Sequence, residues 1–219
     1  MALLTLLGSA SKFWLFLGSN RFRLSDHFIM TATPTLFKEV FLLQPEKHTD
    51  SRGSFTEGYN QKVFAAATGL QLPFCQDNYT TSKKGVLRGL HYQLPPYSQS
   101  KLVSVLEGRV LDVVVDVREG SPTFGRHFSQ ELSAENGLQL FIPRGFAHGY
   151  ITLSETSIFV YKVDQYYHPQ FEGSIAPEDP ELAIDWKLPQ SEWILSDKDR
   201  HHPLLKDARL LDYKDAPYA

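Results

Sequence analysis

The chain has 219 residues, 42% hydrophobic and 21% charged, a balance that fits one sizeable globular domain with a real core. A formal net charge of −3 disfavours generic binding to nucleic acid, although basic side chains can still gather around a small anionic ligand. Cys75 is the only cysteine, which excludes an intrachain disulfide and points to a reducing, cytoplasmic setting. Its side chain is expected to be small, buried and inert.

The opening MALLTLLGSASKFWLFLGSN is apolar but broken by Gly, Ser, Lys and Asn, so no run reaches bilayer length. It also lacks the positive start of a signal peptide, and no membrane partner is expected. Met30 opens MTATPTLFKEVFLLQPEKH, which reads as the beginning of the folded unit. Residues 1–29 are therefore read as a dispensable tail, 30–211 as a single domain and 212–219 as a C-terminal tail. Tyr59–Leu70 predicts a helix, with Val63, Phe64 and Ala67 on one face and Gly69 as its stop.

Strands dominate beyond the helix. Leu111, Val113, Val115 and Val117 alternate with Asp112, Val114, Asp116 and Arg118, the period of a half-buried strand. Glu107–Gly108 is expected to be a hairpin turn before it, and Gly120–Ser121–Pro122 closes it. His127–Leu132, Leu138–Ile142, Ala147–Leu153 and Ser157–Asp164 follow at short spacing, the pattern of an antiparallel sandwich or barrel. No Gly-rich loop joins a strand to a helix, so a Rossmann or P-loop reading has no support. After Pro169 the pattern loosens into loops and a short helix.

GVLRGLHYQ, residues 85–93, sets Arg88 and His91 three positions apart inside an apolar run. It reads either as a barrel strand with a wet face or as a strand bearing catalytic groups. A second histidine, His148, stands in IPRGFAHGY, while SIFVYKVDQYY carries Tyr161, Tyr166 and Tyr167. LSDKD adds Asp197, Lys198 and Asp199. A metal-binding barrel strand offers two histidines two apart, but Gln93 and Tyr150 occupy those positions, so neither metal nor other cofactor is expected. The adjacent His201 and His202 are expected at the surface.

A metal-free reading uses these groups well. A neutral imidazole abstracts a proton when a carboxylate such as Asp197 or Asp199 stabilises the imidazolium. A phenol delivers a proton to the other side of the carbon, and an ammonium such as Lys101 holds an enolate oxygen. Together they describe an epimerase working beside a carbonyl. Arg52 and Arg88 suit phosphate, while Tyr161 taken alone reads as core packing rather than as an acid.

Seven ordered blocks carry a family likeness: DSRGSFTE (50–57), QDNYTTSKKGVLRGLHYQ (76–93), KLVSVLEGRVLDVVVDVR (101–118), SPTFGRH (121–127), IPRGFAHGY (142–150), YKVDQYYHPQFEGSI (161–175) and LSDKD (195–199). Over Phe37 to Leu205 the chain resembles the dTDP-4-dehydrorhamnose 3,5-epimerases. The resemblance implies an all-β fold, a cupin-type antiparallel jelly roll with a few short helices, working without metal. It implies epimerisation at C3 and C5 of dTDP-4-dehydro-6-deoxy-D-glucose, giving dTDP-4-dehydro-L-rhamnose.

By position, the resemblance makes His91 the general base, Asp199 its carboxylate partner and Tyr161 the opposing acid. Lys101 would stabilise charge on the 4-keto oxygen, with Arg88 and His148 lining sugar and diphosphate. Arg52, Glu57, Gln76, Asn78, Tyr166, Glu172 and Lys198 would make further substrate contacts. It also implies a homodimer with N-terminal strand exchange, in which Arg52 serves the neighbouring site. The segment GSIAPEDPELAIDW departs from the family pattern at Ala176–Pro177, where a bulkier pair is common. Two other readings stand beside this one: a C3-only or C5-only epimerase of another dTDP-4-keto sugar, and a non-catalytic cupin that binds a nucleotide sugar.

Overall fold

A computed structural model describes residues 20–25 and 28–215. Most of the expected N-terminal tail, residues 1–19, lies outside the described residues. Strands β1 (Asn20–Ser25), β2 (Phe28–Pro34), β3 (Phe41–Pro45), β4 (Lys47–Asp50) and β5 (Gly53–Thr56) precede helix α1 (Gln61–Thr68). Then come β6 (Gln76–Lys83), β7 (Leu87–Gln93), β8 (Lys101–Glu107), β9 (Arg109–Asp116), β10 (Arg118–Glu119) and β11 (His127–Ser133). The series ends with β12 (Gln139–Ile142), β13 (Phe146–Thr152), β14 (Thr156–Val163), β15 (Glu172–Ser174) and β16 (Leu211–Asp212).

Two antiparallel sheets form the body, a seven-stranded one in the order β1-β2-β3-β12-β8-β14-β6 and a five-stranded one in the order β11-β9-β13-β7-β15. This is the expected all-β jelly roll. Val103, Val105, Leu140, Ile142 and Phe159 from the larger sheet meet Val110, Val114, Leu132, Phe146 and Tyr150 from the smaller one. Each sheet is also covered on its outer face. Helix α1 lays Val63, Phe64 and Ala67 over Leu43, Leu102 and Phe141. The segment after β15 lays Ile175, Leu182, Trp186 and Leu205 over Leu111, Val113, Val115 and Ile151.

The helix forms where the sequence places it. The Asn60 side chain accepts from the backbone N–H groups of Lys62 and Val63, and Gly69 closes the helix at φ 76°, a left-handed conformation that glycine adopts without strain.

Strand β9 differs from expectation, because every residue from Val110 to Asp116 is buried. The Leu111–Val113–Val115 set faces the C-terminal wrap, while Val110, Asp112 and Val114 face the barrel interior. The wrap, whose periodicity is irregular, hides what looked like a half-wet strand. Asp116 and Arg118 are buried too: Arg118 donates to Asp116 through Nε and Nη2 at 2.8 Å each and to Glu39 at 3.3 Å. Glu107–Gly108 is not a hairpin turn, since β8 and β9 belong to different sheets and the chain crosses between them there. Cys75 is exposed rather than buried. Among the described residues, no helix is long and apolar enough to cross a membrane.

Two outcomes follow from this packing. The β2–β3 register runs from Met30↔Pro45 to Pro34↔Phe41, so a chain beginning at Met30 keeps all of it and loses, among the described residues, edge strand β1 and the first two residues of β2. That shortened chain is expected to unfold within a few degrees of full length in a thermal melt. Arg118→Ala strands the buried Asp116 carboxylate and is expected to cost about 3–5 kcal/mol of stability in a urea titration.

Candidate active site

Arg88 and His91 both line one cavity although they are three positions apart on β7, and a regular strand would put them on opposite faces. The pairing with β13 explains it. His148 lies opposite His91 and Tyr150 opposite Arg88, so two intervening residues of β7 face one of β13. The extra residue is a β-bulge, which turns both side chains inward. Glycines allow the two backbones to meet there: a Cβ on Gly89 would lie 2.5 Å from the Cα of Gly149. RGLH and AHGY are thus two halves of one close contact.

The cavity holds about 270 Å³ and is lined by Thr80, Arg88, His91, Lys101, His148, Tyr150, Phe159, Tyr161, Ser196, Lys198 and Asp199. His91 comes from the five-stranded sheet and Tyr161, on β14, from the seven-stranded sheet, so imidazole and phenol reach the same space from opposite walls. A larger groove of about 520 Å³ lies beside β4–β5, but it holds the Lys162–Asp77 ion pair and no histidine.

His91 Nε2 lies 2.8 Å from Asp199 Oδ1. Burial would raise the Asp199 pKa, but His91, Ser196 and His202 outweigh it and hold the carboxyl below its usual value. Asp199 is therefore the ionised partner, and Asp197 does not line the cavity. Lys101, at the start of β8, is pulled down to about 8 by burial, against the opposing charges of Asp112 and Glu172. Burial pushes Tyr161 up, Tyr150 adds to this and Arg88 opposes it, so the phenol keeps its proton at neutral pH.

His148 Nε2 lies 2.9 Å from Asp112 Oδ2, and both groups are buried. Asp112 was legible only as an acid inside an apolar run, yet it holds the second histidine in place. Tyr150 shares a 2.6 Å hydrogen bond with Thr80 and stacks on Phe159 at 4.1 Å. Arg88 Nε donates to Ser82 at 3.2 Å.

The remaining expected contacts divide by position. Lys198 lines the cavity and pairs with Glu172, which also accepts from Tyr167 at 2.8 Å. Gln76 and Asn78 share alternate positions with Thr80 on β6, and Gln76 donates to Asn78 at 2.7 Å. Tyr166 is exposed, and Glu57 is half-buried away from the cavity lining. Arg52 is not brought to the cavity of its own chain; it pairs with Asp50 on the exposed β4–β5 hairpin. Around Ala176–Pro177, the buried Trp186 donates its indole N–H to the Pro177 carbonyl at 2.9 Å.

One expectation fails at the site itself. His202, placed at the surface by sequence, has a side chain only 3% exposed and stands 3.3 Å from Asp199 Oδ1. Its ring centroid is 5.1 Å from that of His91. The short helical turn at Asp199–His201 separates the neighbouring histidines, leaving His201 outside and His202 inside.

The family model for dTDP-4-dehydrorhamnose 3,5-epimerase matches residues 34–207. The Pseudomonas aeruginosa enzyme of that name is 48% identical over 179 residues, covering 82% of this chain and 98% of that one. A crystal structure of the epimerase from Elizabethkingia anophelis superposes with a TM-score of 0.78 at 51% identity, covering 81% and 97% of the two chains. The Legionella pneumophila dTDP-6-deoxy-D-glucose-3,5-epimerase, solved in complex with dTDP-4-keto-L-rhamnose, gives 0.81 at 46% identity, with 84% and 98% covered. With the family model matching residues 34–207 and sequence likeness spanning nearly the whole of each of these relatives, the chain belongs to the dTDP-4-dehydrorhamnose 3,5-epimerase family of isomerases.

Proposed function

We propose that the protein epimerises dTDP-4-dehydro-6-deoxy-D-glucose at C3 and C5 to dTDP-4-dehydro-L-rhamnose, with His91 as base and Tyr161 as acid. The observation that carries this assignment is the arrival of His91 and Tyr161 in one cavity from opposite sheets. With Nε2 held by Asp199, His91 takes the substrate proton on Nδ1, and the carboxylate stabilises the imidazolium. The electron pair moves into an enolate whose oxygen is held by the Lys101 ammonium. Tyr161 then gives its proton to the opposite face of the carbon; proton exchange with solvent returns His91 to the neutral imidazole and Tyr161 to the phenol, and repetition at the second carbon completes the reaction. The carbonyl beside both carbons supplies all the acidity the step needs, so neither metal nor redox cofactor takes part.

Arg88 and Lys198 serve the diphosphate and sugar from the cavity wall, with His148, Gln76, Asn78 and Glu172 around them. In this reading Arg52, on the exposed β4–β5 hairpin, serves the site of a neighbouring chain in a homodimer, and Glu57 and Tyr166 make further substrate contacts. The cytoplasm suits this assignment, because exposed Cys75 stays reduced there.

Incubation with the substrate in D2O, followed by mass spectrometry, tests the roles. His91→Ala is expected to abolish deuterium uptake at C3 and C5. Tyr161→Phe is expected to keep uptake while making little inverted product, since the same imidazole can return a deuteron with retention. Both defects should be about 10²–10⁴-fold, and Asp199→Asn should fall between wild type and His91→Ala. Label at only one carbon in the wild type would indicate a single epimerisation, and no label at all would indicate a binder.

The pH profile tests Lys101. Its ammonium persists below a pKa of about 8 and is lost above it. The rate is therefore expected to fall as pH rises through that value, and Lys101→Arg, which keeps its charge, should move this limb to higher pH.

A further inference from the structure

His202 has no part in the scheme above, yet it sits beside its central pair. Both of its ring nitrogens are buried without a well-aligned hydrogen bond. The Asp199 carboxylate and the Ile175 backbone are in reach of the ring, but neither fixes it. Such a buried imidazole is costly unless some other partner completes it. The ligand-capable atoms of His91, Asp199 and His202 all lie within 4.8 Å of one another.

We infer that His91, Asp199 and His202 form a binding site for a divalent transition metal, Zn2+ above all, and that the bound ion shuts the enzyme off. Two imidazoles and one carboxylate with a fourth position open are a donor set that Zn2+ takes readily. The 270 Å³ cavity, lined by His91 and Asp199, gives the ion its way in and a water its place on the open side. Magnesium and calcium prefer all-oxygen sites and are excluded by the two nitrogens.

Inhibition follows from the proton inventory, and rests on His91 being the base. For His91 to act as base with Nδ1 open to the substrate, its one proton in the free enzyme has to sit on Nε2, facing Asp199. A metal ion on Nε2 drives that proton to Nδ1, the nitrogen that must receive the substrate proton. The ion also takes the charge of Asp199, so the imidazolium loses its partner. No proton needs to leave the site, because Asp199 is already ionised. The His91–Asp199 pair thus serves either proton transfer or metal binding, never both.

The test uses the full-length chain stripped with a chelator, then titrated with ZnCl2 by calorimetry and, separately, with CoCl2 followed by visible absorption. One ion per chain is expected, with Co2+ bands of a low-coordinate nitrogen–oxygen site. The epimerisation rate should fall in step with filling and recover on chelation. His202→Ala and His202→Gln should each weaken Zn2+ binding, and inhibition relative to their own metal-free rates, by at least ~10-fold. His201→Ala, at the exposed neighbour, should behave like wild type. Absence of stoichiometric binding, or equal binding by the His202 variants, overturns the site. Binding that depends on His202 but leaves the rate unchanged overturns the inhibition. Failure of His91 as base shows separately, as deuterium uptake that survives His91→Ala.

Discussion

Everything at the active site depends on keeping the Asp199 carboxylate ionised while it is buried beside His91. A buried charge without partners would give up its ionisation, and burying an ion pair is at best roughly neutral for stability. The stabilisation has to come from elsewhere. The segment that delivers Asp199 runs across the outer face of the five-stranded sheet, anchored by Ile175, Leu182, Trp186 and Leu205. Each large apolar side chain buried there contributes about 1.5–3 kcal/mol, so apolar packing, not the ion pair, holds Asp199 against His91.

The same need explains why the fold has apolar clusters in three places. Space in the barrel interior given to His91, Lys101, His148 and Tyr161 is lost to hydrophobic packing. The interior keeps an apolar region, but α1 and the C-terminal wrap add two more on the outer faces. Strand β9 shows the arrangement within eight residues, with Asp112 facing the site between Val110 and Val114 while the alternate residues pack outward.

Where local pattern decides, the sequence is legible. Helix α1 has its apolar face, its Asn60 cap and its Gly69 stop within a dozen residues, and β11 to β14 appear close to their expected bounds. Other features depend on what packs from afar. Nothing in VLDVVVDVR reveals that a loop sixty residues later will cover its other face. Glu107–Gly108 carries the residues of a hairpin, but the choice between returning in the same sheet and crossing to the other is made by the barrel. His201 and His202 are indistinguishable in sequence, and only the helical turn at Asp199–His201 sorts one outward and the other inward. Arg88 and His91 were readable as a pair because of their chemistry, though their three-residue spacing conflicts with a strand until the bulge against β13 is known.

Two histidine–carboxylate pairs share this interior, and their surroundings make them unequal. In the His91–Asp199 pair the carboxyl is held below its usual value and the imidazole is partly open to the cavity. In the His148–Asp112 pair burial pushes the acid up and the imidazole down, each against the attraction of the other. Burial thus disfavours separated charge in the inner pair, which suits it to hydrogen bonding and positioning. The outer pair, with a stabilised carboxylate and access to solvent, tolerates an imidazolium. Environments that drive like groups apart in this way are how a site divides its roles. His148 is therefore less suited than His91 to accept a proton, despite lying directly opposite it in the sheet.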